Sequence, residues 1–382
     1  MALRYHALFA THQQNLLNGQ GGLPSCHAGC CEGALEDLRM TRSTNREIRL
    51  KSRPTGMPST ENFALVETAM PKVGPGQFLL RNVWMSVDPY MRGRMMDRES
   101  YVPPFEVGKV LDGGSVGQVV ESQHDGFAVG DYVCGFAAGG WREFHVSDGT
   151  MMQKVDPALA PLQAYLGVLG MPGLTAYSGL LRIGQPQPGE TVFVSAAAGA
   201  VGAVVCQIAK LKGCYVVGSV GSDDKAAWLR REAGVDAVVN YKTCGNLEAA
   251  VKAVCPRGID VYFENVGGEH LDVALSLMNR LGRIVACGMI SQYNAVEPPA
   301  GPRNIILVVG KSITMQGFIV SNFIDMVPSF FADMGQWIRA GEIKWEETVF
   351  DGIANAPKAF LGLFTGANAG KMLVRLGPDT DG

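Results

Sequence analysis

Apolar residues follow two different rhythms along this chain, and the change of rhythm marks its organisation. From about Thr44 to Pro161, short apolar runs alternate with dense turn signals. Phe78-Leu79-Leu80-Arg81-Asn82-Val83 is one run, Val116-Gly117-Gln118-Val119-Val120-Glu121 another, and Asp131-Tyr132-Val133-Cys134-Gly135-Phe136 follows Gly130. Short strands at this spacing predict a small β-barrel or curled sheet. From Tyr165 to about Ser321, strands alternate with helices, which predicts a parallel sheet. Thr191-Val192-Phe193-Val194-Ser195 reads as a buried strand, and Val201, Val204, Val205, Ile208 and Ala209 recur at helical spacing up to Lys212. Cys214 to Val217, Ala237 to Val239, Ile259 to Phe263 and Arg283 to Cys287 supply four more strands. Phe323 to Ile338 reads as one amphipathic helix. The tail beyond it is too small to hold a core alone and is expected to return to the first domain.

Size and charge narrow the picture. At 382 residues the chain is too long for one ordinary core, so two domains are expected. A net charge of −3 argues against a broad nucleic-acid surface. No apolar run reaches the length of a membrane span. The first 43 residues lack a sustained period and any signal-peptide core, and read as a disordered extension in which Met40 could be an alternative start. Cysteines such as Cys134, Cys206, Cys214 and Cys287 sit in apolar stretches, as reduced thiols of a cytoplasmic protein do. Cys26, Cys30 and Cys31 beside His27 match no zinc pattern.

The candidate chemistry begins at Ala197-Ala198-Gly199-Ala200-Val201-Gly202, between a buried strand and an amphipathic helix. A glycine turn there aims backbone N–H groups and the positive helix end at a pyrophosphate. Ala-x-Gly-x-x-Gly is weak by itself, and a plain strand-to-helix connection is the alternative; the flanking strand and helix give it weight. The next strand ends Val217-Gly218-Ser219-Val220-Gly221-Ser222, with no acid at its tip and Lys225 just beyond. A carboxylate there would bond a ribose 2′-hydroxyl, whereas an ammonium attracts a 2′-phosphate, so NADPH is expected over NADH. Asp223 and Asp224 suit the first turn of a helix capped by Ser222, and Lys225 could equally be a solvated helix residue.

With these residues in place, the chain resembles the medium-chain dehydrogenase/reductase superfamily, in its zinc-independent NADPH-dependent alkenal/one reductase branch. The resemblance spans roughly Thr44 to Leu376. It rests on Val87-Asp88-Pro89-Tyr90-Met91-Arg92, Gly170 to Tyr177, Ala196 to Lys210, Gly221 to Lys225, Asn240-Tyr241-Lys242, Phe263 to Gly268 and Cys287 to Asn294. It implies an α/β fold: a GroES-like β-rich catalytic domain with an inserted, doubly wound Rossmann domain. The expected division is 1–43 extension, 44–164 first part of the catalytic domain, 165–321 Rossmann domain, and 322–382 helix and return. By resemblance, Ala198, Gly199, Ala200, Val201, Gly202, Gly218, Ser219, Lys225, Tyr241, Asn265, Cys287 and Gly288 would meet the cofactor. Phe318, Ile319, Val320 and Asn368 would close around its nicotinamide end, and a homodimer would form through a strand such as Ser312 to Gln316.

Zinc-dependent relatives hold a metal with Cys, His and Glu or Asp. Here His124 and His145 are isolated and no four-cysteine lobe exists, so no metal site is expected. Reduction of an activated C=C bond fits such a chain: hydride adds to the β-carbon of a small lipophilic enone or enal, and the enolate oxygen needs hydrogen-bond donors. By resemblance Tyr293 is the donor or proton source and Tyr90 shapes the substrate pocket; a tyrosine simply covering a loop is the alternative for each. Quinone reduction and a non-catalytic NADPH-binding role are the competing functions.

Overall fold

The computed structural model describes residues 44–378. The extension with Met40, and the group Cys26, His27, Cys30 and Cys31, lie outside the described residues.

The N-terminal strands are β1 (Thr44–Leu50), β2 (Phe63–Ala69), β3 (Phe78–Ser86), β4 (Gly114–Ser122), β5 (Tyr132–Gly139), β6 (Phe144–Ser147) and β7 (Met152–Lys154). β1 and β2 form an antiparallel ribbon. Every residue of β3 is buried, because β3 is paired on both edges and covered on both faces. Its neighbour β4 crosses so closely at Gly117 that a Cβ there would stand 2.1 Å from the Arg81 carbonyl oxygen. Only glycine permits that approach.

The parallel strands are β8 (Thr191–Val194), β9 (Tyr215–Val220), β10 (Ala237–Asn240), β11 (Ile259–Glu264), β12 (Met278–Ala286) and β13 (Thr314–Gly317). They form one sheet in the order β10-β9-β8-β11-β12-β13. β8 shows no polar alternation because helices cover both faces of a doubly wound sheet. This is the α/β class expected. The expected edge strand at Ser312 to Gln316 lies slightly later, at Thr314–Gly317. The expected single helix from Phe323 is in fact two elements. A 3-10 stretch, Val320–Met326, breaks at Phe323, and the α-helix runs Val327–Arg339. Pro328 explains the offset: proline suits the first turn of a helix and not its interior.

The tail supplies β14 (Glu347–Asp351) and β15 (Lys371–Arg375). β15 pairs antiparallel with β3, Leu373 opposite Ser86, and parallel with β14. The last strand therefore completes the sheet of the first strands, which makes seven in all. At the head of β15, the Lys371 ammonium is buried. It forms a 3.1 Å ion pair with Asp88 Oδ1 and donates to the carbonyls of Val87 (2.9 Å) and Met372 (3.0 Å). The second oxygen of Asp88 accepts from the Ser86 hydroxyl. All donors and acceptors of the pair are matched, which a buried ion pair requires.

Removing one partner strands the other charge without water. Lys371→Met, which keeps the apolar stem, is expected to lower stability by about 3–5 kcal/mol, read from urea unfolding midpoints. A loss below ~1 kcal/mol would show that the pair holds nothing.

Candidate active site

The strand order reverses between β8 and β11, and in such sheets ligands bind beyond the carboxyl ends of the strands at that point. The turns leaving β8, β9, β11 and β12 therefore frame the site. After β8 the chain passes Ala198, which is buried, and the half-buried Gly199, Ala200 and Val201. It enters the helix Gly202–Leu211 at a glycine whose Cβ would stand 2.4 Å from the Ala196 carbonyl oxygen. The tail closes the opposite side, where the Gly370 N–H donates to the Ala198 carbonyl at 2.8 Å.

Beyond β9, Ser222 caps the helix Asp223–Arg231, and Asn240 Nδ2 holds Asp223 at 2.8 Å. The Lys225 ammonium donates to the Gly366 carbonyl at 2.7 Å. Burial, and then the nearby Lys242, push that ammonium below its usual value. An ammonium lowered by a neighbouring cation favours an anion beside it. Tyr241 completes this corner: a Cβ on Gly221 would lie 2.8 Å from its phenol oxygen and 3.2 Å from Lys242 Cε. About 410 Å³ of space lies between Ala198, Ser222, Lys225 and the tail residues Ala367 and Ala369. Its charged lining as a whole is balanced, Lys225 and Arg231 against Asp224 and Glu346, so the anion preference is confined to the Lys225–Lys242 corner. Gly218 and Ser219 lie in β9. Both are buried; a Cβ on Gly218 would meet Ala197 Cβ at 2.8 Å, and the Ser219 hydroxyl is engaged by His270.

The other end of the crevice is organised by a buried glutamate that sequence reasoning missed. Glu264 Oε1, at the end of β11, accepts from Ser195 Oγ (3.0 Å), Val266 N (2.6 Å) and Gly267 N (2.9 Å). Burial pushes its carboxyl up, and the Gly267 and Val266 amides oppose that. Ser195 Oγ in turn accepts from Asn265 N at 2.9 Å, and Asn265 Nδ2 donates to the Ser195 carbonyl at 2.8 Å. Past β12 come Cys287, whose thiol burial and Glu264 push up to about 12, and Gly288. The Tyr293 phenol stands over Gly288, 2.9 Å from where a Cβ would be. It accepts the Met289 N–H at 3.3 Å, which leaves its own O–H free to donate. Burial holds that phenol above its ordinary value, and so keeps it protonated.

Two further tyrosines, Tyr90 and Tyr101, lie in the segment between β3 and β4. Burial raises the Tyr90 phenol, and Asp88 adds to the shift. Tyr101, unmarked by any motif, lies on an outer loop within electrostatic reach of Tyr90, Tyr293 and Cys287; crowding of its phenol raises it while Arg94 opposes. Arg92 ties the two sides together. Its Nε donates to Asn294 Oδ1 at 2.9 Å and its Nη2 to the Gly56 carbonyl at 2.7 Å. Of the residues expected at the closing end, Ile319 and Val320 are half-buried, and Asn368 donates to the Gly370 carbonyl at 2.8 Å. The Phe318 ring is buried, and a Cβ on Gly179 would stand 2.6 Å from it.

Comparison with known proteins agrees with this architecture. Residues 46–155 match the family model described as the N-terminal domain of oxidoreductase, and 200–338 that described as zinc-binding dehydrogenase. The NADPH-dependent curcumin reductase of Escherichia coli (strain K12) is 45% identical over 343 residues, 88% of this chain and 99% of that protein. The chain belongs to the medium-chain dehydrogenase/reductase superfamily. A 2-alkenal reductase (NADP(+)-dependent) of Nicotiana tabacum is 42% identical over 87% of this superfamily member and 97% of its own length. The crystal structure of CurA from Vibrio vulnificus in complex with NADPH superposes with a TM-score of 0.83 at 44% identity, covering 87% and 99% of the two chains. Among the described residues, no group of three or more His, Cys, Asp and Glu could hold a metal ion. No helix among them is long and apolar enough to cross a membrane.

The phenol of Tyr293 has its position because residue 288 has no side chain. Gly288→Ala is expected to displace the Tyr293 oxygen while shifting the melting temperature little, and a crystal structure of the variant reads the displacement. An unmoved phenol would show that the loop, and not the glycine, sets it.

Proposed function

We propose that this protein is an NADPH-dependent reductase of the C=C bond of α,β-unsaturated ketones and aldehydes. The observation that carries the reading is the Tyr293 phenol, which accepts a backbone N–H and keeps its own proton free beside Cys287 and Gly288 at the switch point of the sheet. When bound, NADPH supplies the hydride for the β-carbon of the substrate. The residues present fit that cofactor. Lys225, Lys242 and Tyr241 offer two charges and a phenol to a 2′-phosphate, the Ala198–Gly202 turn offers amides to the pyrophosphate, and Asn265 is fixed by Ser195 at the other end.

As the β-carbon is reduced, negative charge develops on the carbonyl oxygen. A donor already in place stabilises it without reorganisation. Tyr293 is that donor in this reading, and its raised phenol holds the proton until the enolate forms. Protonation at the α-carbon then yields the saturated carbonyl. Tyr90 and Tyr101 wall the pocket from the opposite side, and Phe323, half-buried beside Phe318, adds apolar surface for a lipophilic substrate. The exposed edge strand β13, with Ile306 and Val309 uncovered nearby, supports pairing of two copies.

Two substitutions separate the ends of the site. Tyr293→Phe is expected to lower kcat with an enone about 10²–10³-fold while leaving KM for NADPH unchanged. Undiminished kcat would remove Tyr293 from the chemistry. Lys225→Ala is expected to raise KM for NADPH about tenfold or more and leave that for NADH in place. The product decides the reaction: a saturated ketone supports the reading, whereas an allylic alcohol, or turnover of quinones alone, overturns it.

A further inference from the structure

The proposed 2′-phosphate corner has a support that its own residues do not supply. Tyr241 is 40% exposed, and its ring needs a wall to hold the phenol beside Gly221 and Lys242. That wall is His270, in the first turn of the helix Glu269–Leu277. The imidazole is buried and meets the Tyr241 ring edge-on, with centroids 5.2 Å apart and planes at 82°. Its Nε2 lies 2.9 Å from Ser219 Oγ, on the buried side of the tip of β9. One histidine therefore touches both the strand tip and the tyrosine that flank the two lysines.

We propose that His270 is a positioning residue for recognition of the cofactor's 2′-phosphate, acting through Tyr241 and Ser219. This rests on the NADPH reading of the site. The geometry gives the division of labour. Edge-to-face contact fixes the plane of the Tyr241 ring, and the hydrogen bond to Ser219 fixes the imidazole against the strand. The phenol oxygen is thereby held over Gly221, where no side chain displaces it. Burial pushes the imidazole down to about 4, so it stays neutral and adds no charge of its own; the charge at this corner comes from Lys225 and Lys242. Selectivity for a 2′-phosphate is then set partly by a residue behind the tyrosine.

The test is direct binding, apart from turnover. The full chain, His270→Gln and His270→Phe are titrated calorimetrically with 2′,5′-ADP and with 5′-AMP. His270→Gln keeps an amide for Ser219 but removes the ring, and is expected to weaken 2′,5′-ADP about tenfold while 5′-AMP changes less than about twofold. His270→Phe keeps a ring against Tyr241 and is expected to recover most of the loss. Unchanged 2′,5′-ADP affinity in His270→Gln overturns the proposal. Equal losses for both nucleotides overturn it too, because they mark a general structural role. If the unaltered protein fails to prefer 2′,5′-ADP over 5′-AMP, the NADPH reading itself falls, a result distinct from either of these.

Discussion

One buried ammonium fastens the last strand of this molecule to the sheet of the first strands. Lys371 sits where the last strand meets the first sheet, with Asp88 and the Val87 carbonyl on one side and its own strand on the other. Two residues beyond Asp88 stands Tyr90. One residue before Lys371, the Gly370 N–H bonds the Ala198 carbonyl of the phosphate turn, and four residues earlier the Gly366 carbonyl receives Lys225. A short tail segment therefore touches the parallel sheet's ligand turn, its cationic corner and the base of the tyrosine wall. An ion pair in a dry site tolerates little displacement, since each charge depends on the other for its solvation. The placement of the tail against the first sheet follows from that intolerance.

The crevice is chemically graded from end to end. One end holds the Lys225 ammonium, lowered by burial and by Lys242, a place that an anion relieves. The other holds phenols and a thiol, all pushed toward their protonated forms by burial. Between them the Glu264–Ser195–Asn265 network ties the ends of β8 and β11 together.

Much of this was legible in the residues, because it depends on local pattern. Alternation of apolar strands and helices, the turn at Gly199 and Gly202, and the lysine past β9 all follow from sequence neighbours. What was not legible depends on contacts between distant segments. Glu264 reads as a polar interruption in an apolar strand, and only its three donors show why it is there. His270 looks like an ordinary helix residue until Ser219 and Tyr241 arrive beside it. Tyr101 has no motif around it, and its reach to Cys287 crosses from one sheet to the other. The burial of the Phe318 ring against Gly179 depends on a helix far off in sequence and could not be read from its neighbours. Pro328 was visible, but the break at Phe323, whose ring meets Phe318, was not.

The partnership of β3 with β15 also orders events in time. Lys371 and Val87 are 284 residues apart, so a strand made early waits for one made near the end of synthesis. The six parallel strands, all between Thr191 and Gly317, need nothing from outside that span to pair. On a ribosome the nucleotide sheet can close while β3 still carries an open edge. The stretch that waits is Trp84 to Ser86, where β15 pairs, and open strand edges invite pairing with other chains. The waiting interval, and not the finished structure, is where this protein is most exposed to aggregation and to the chaperones that prevent it.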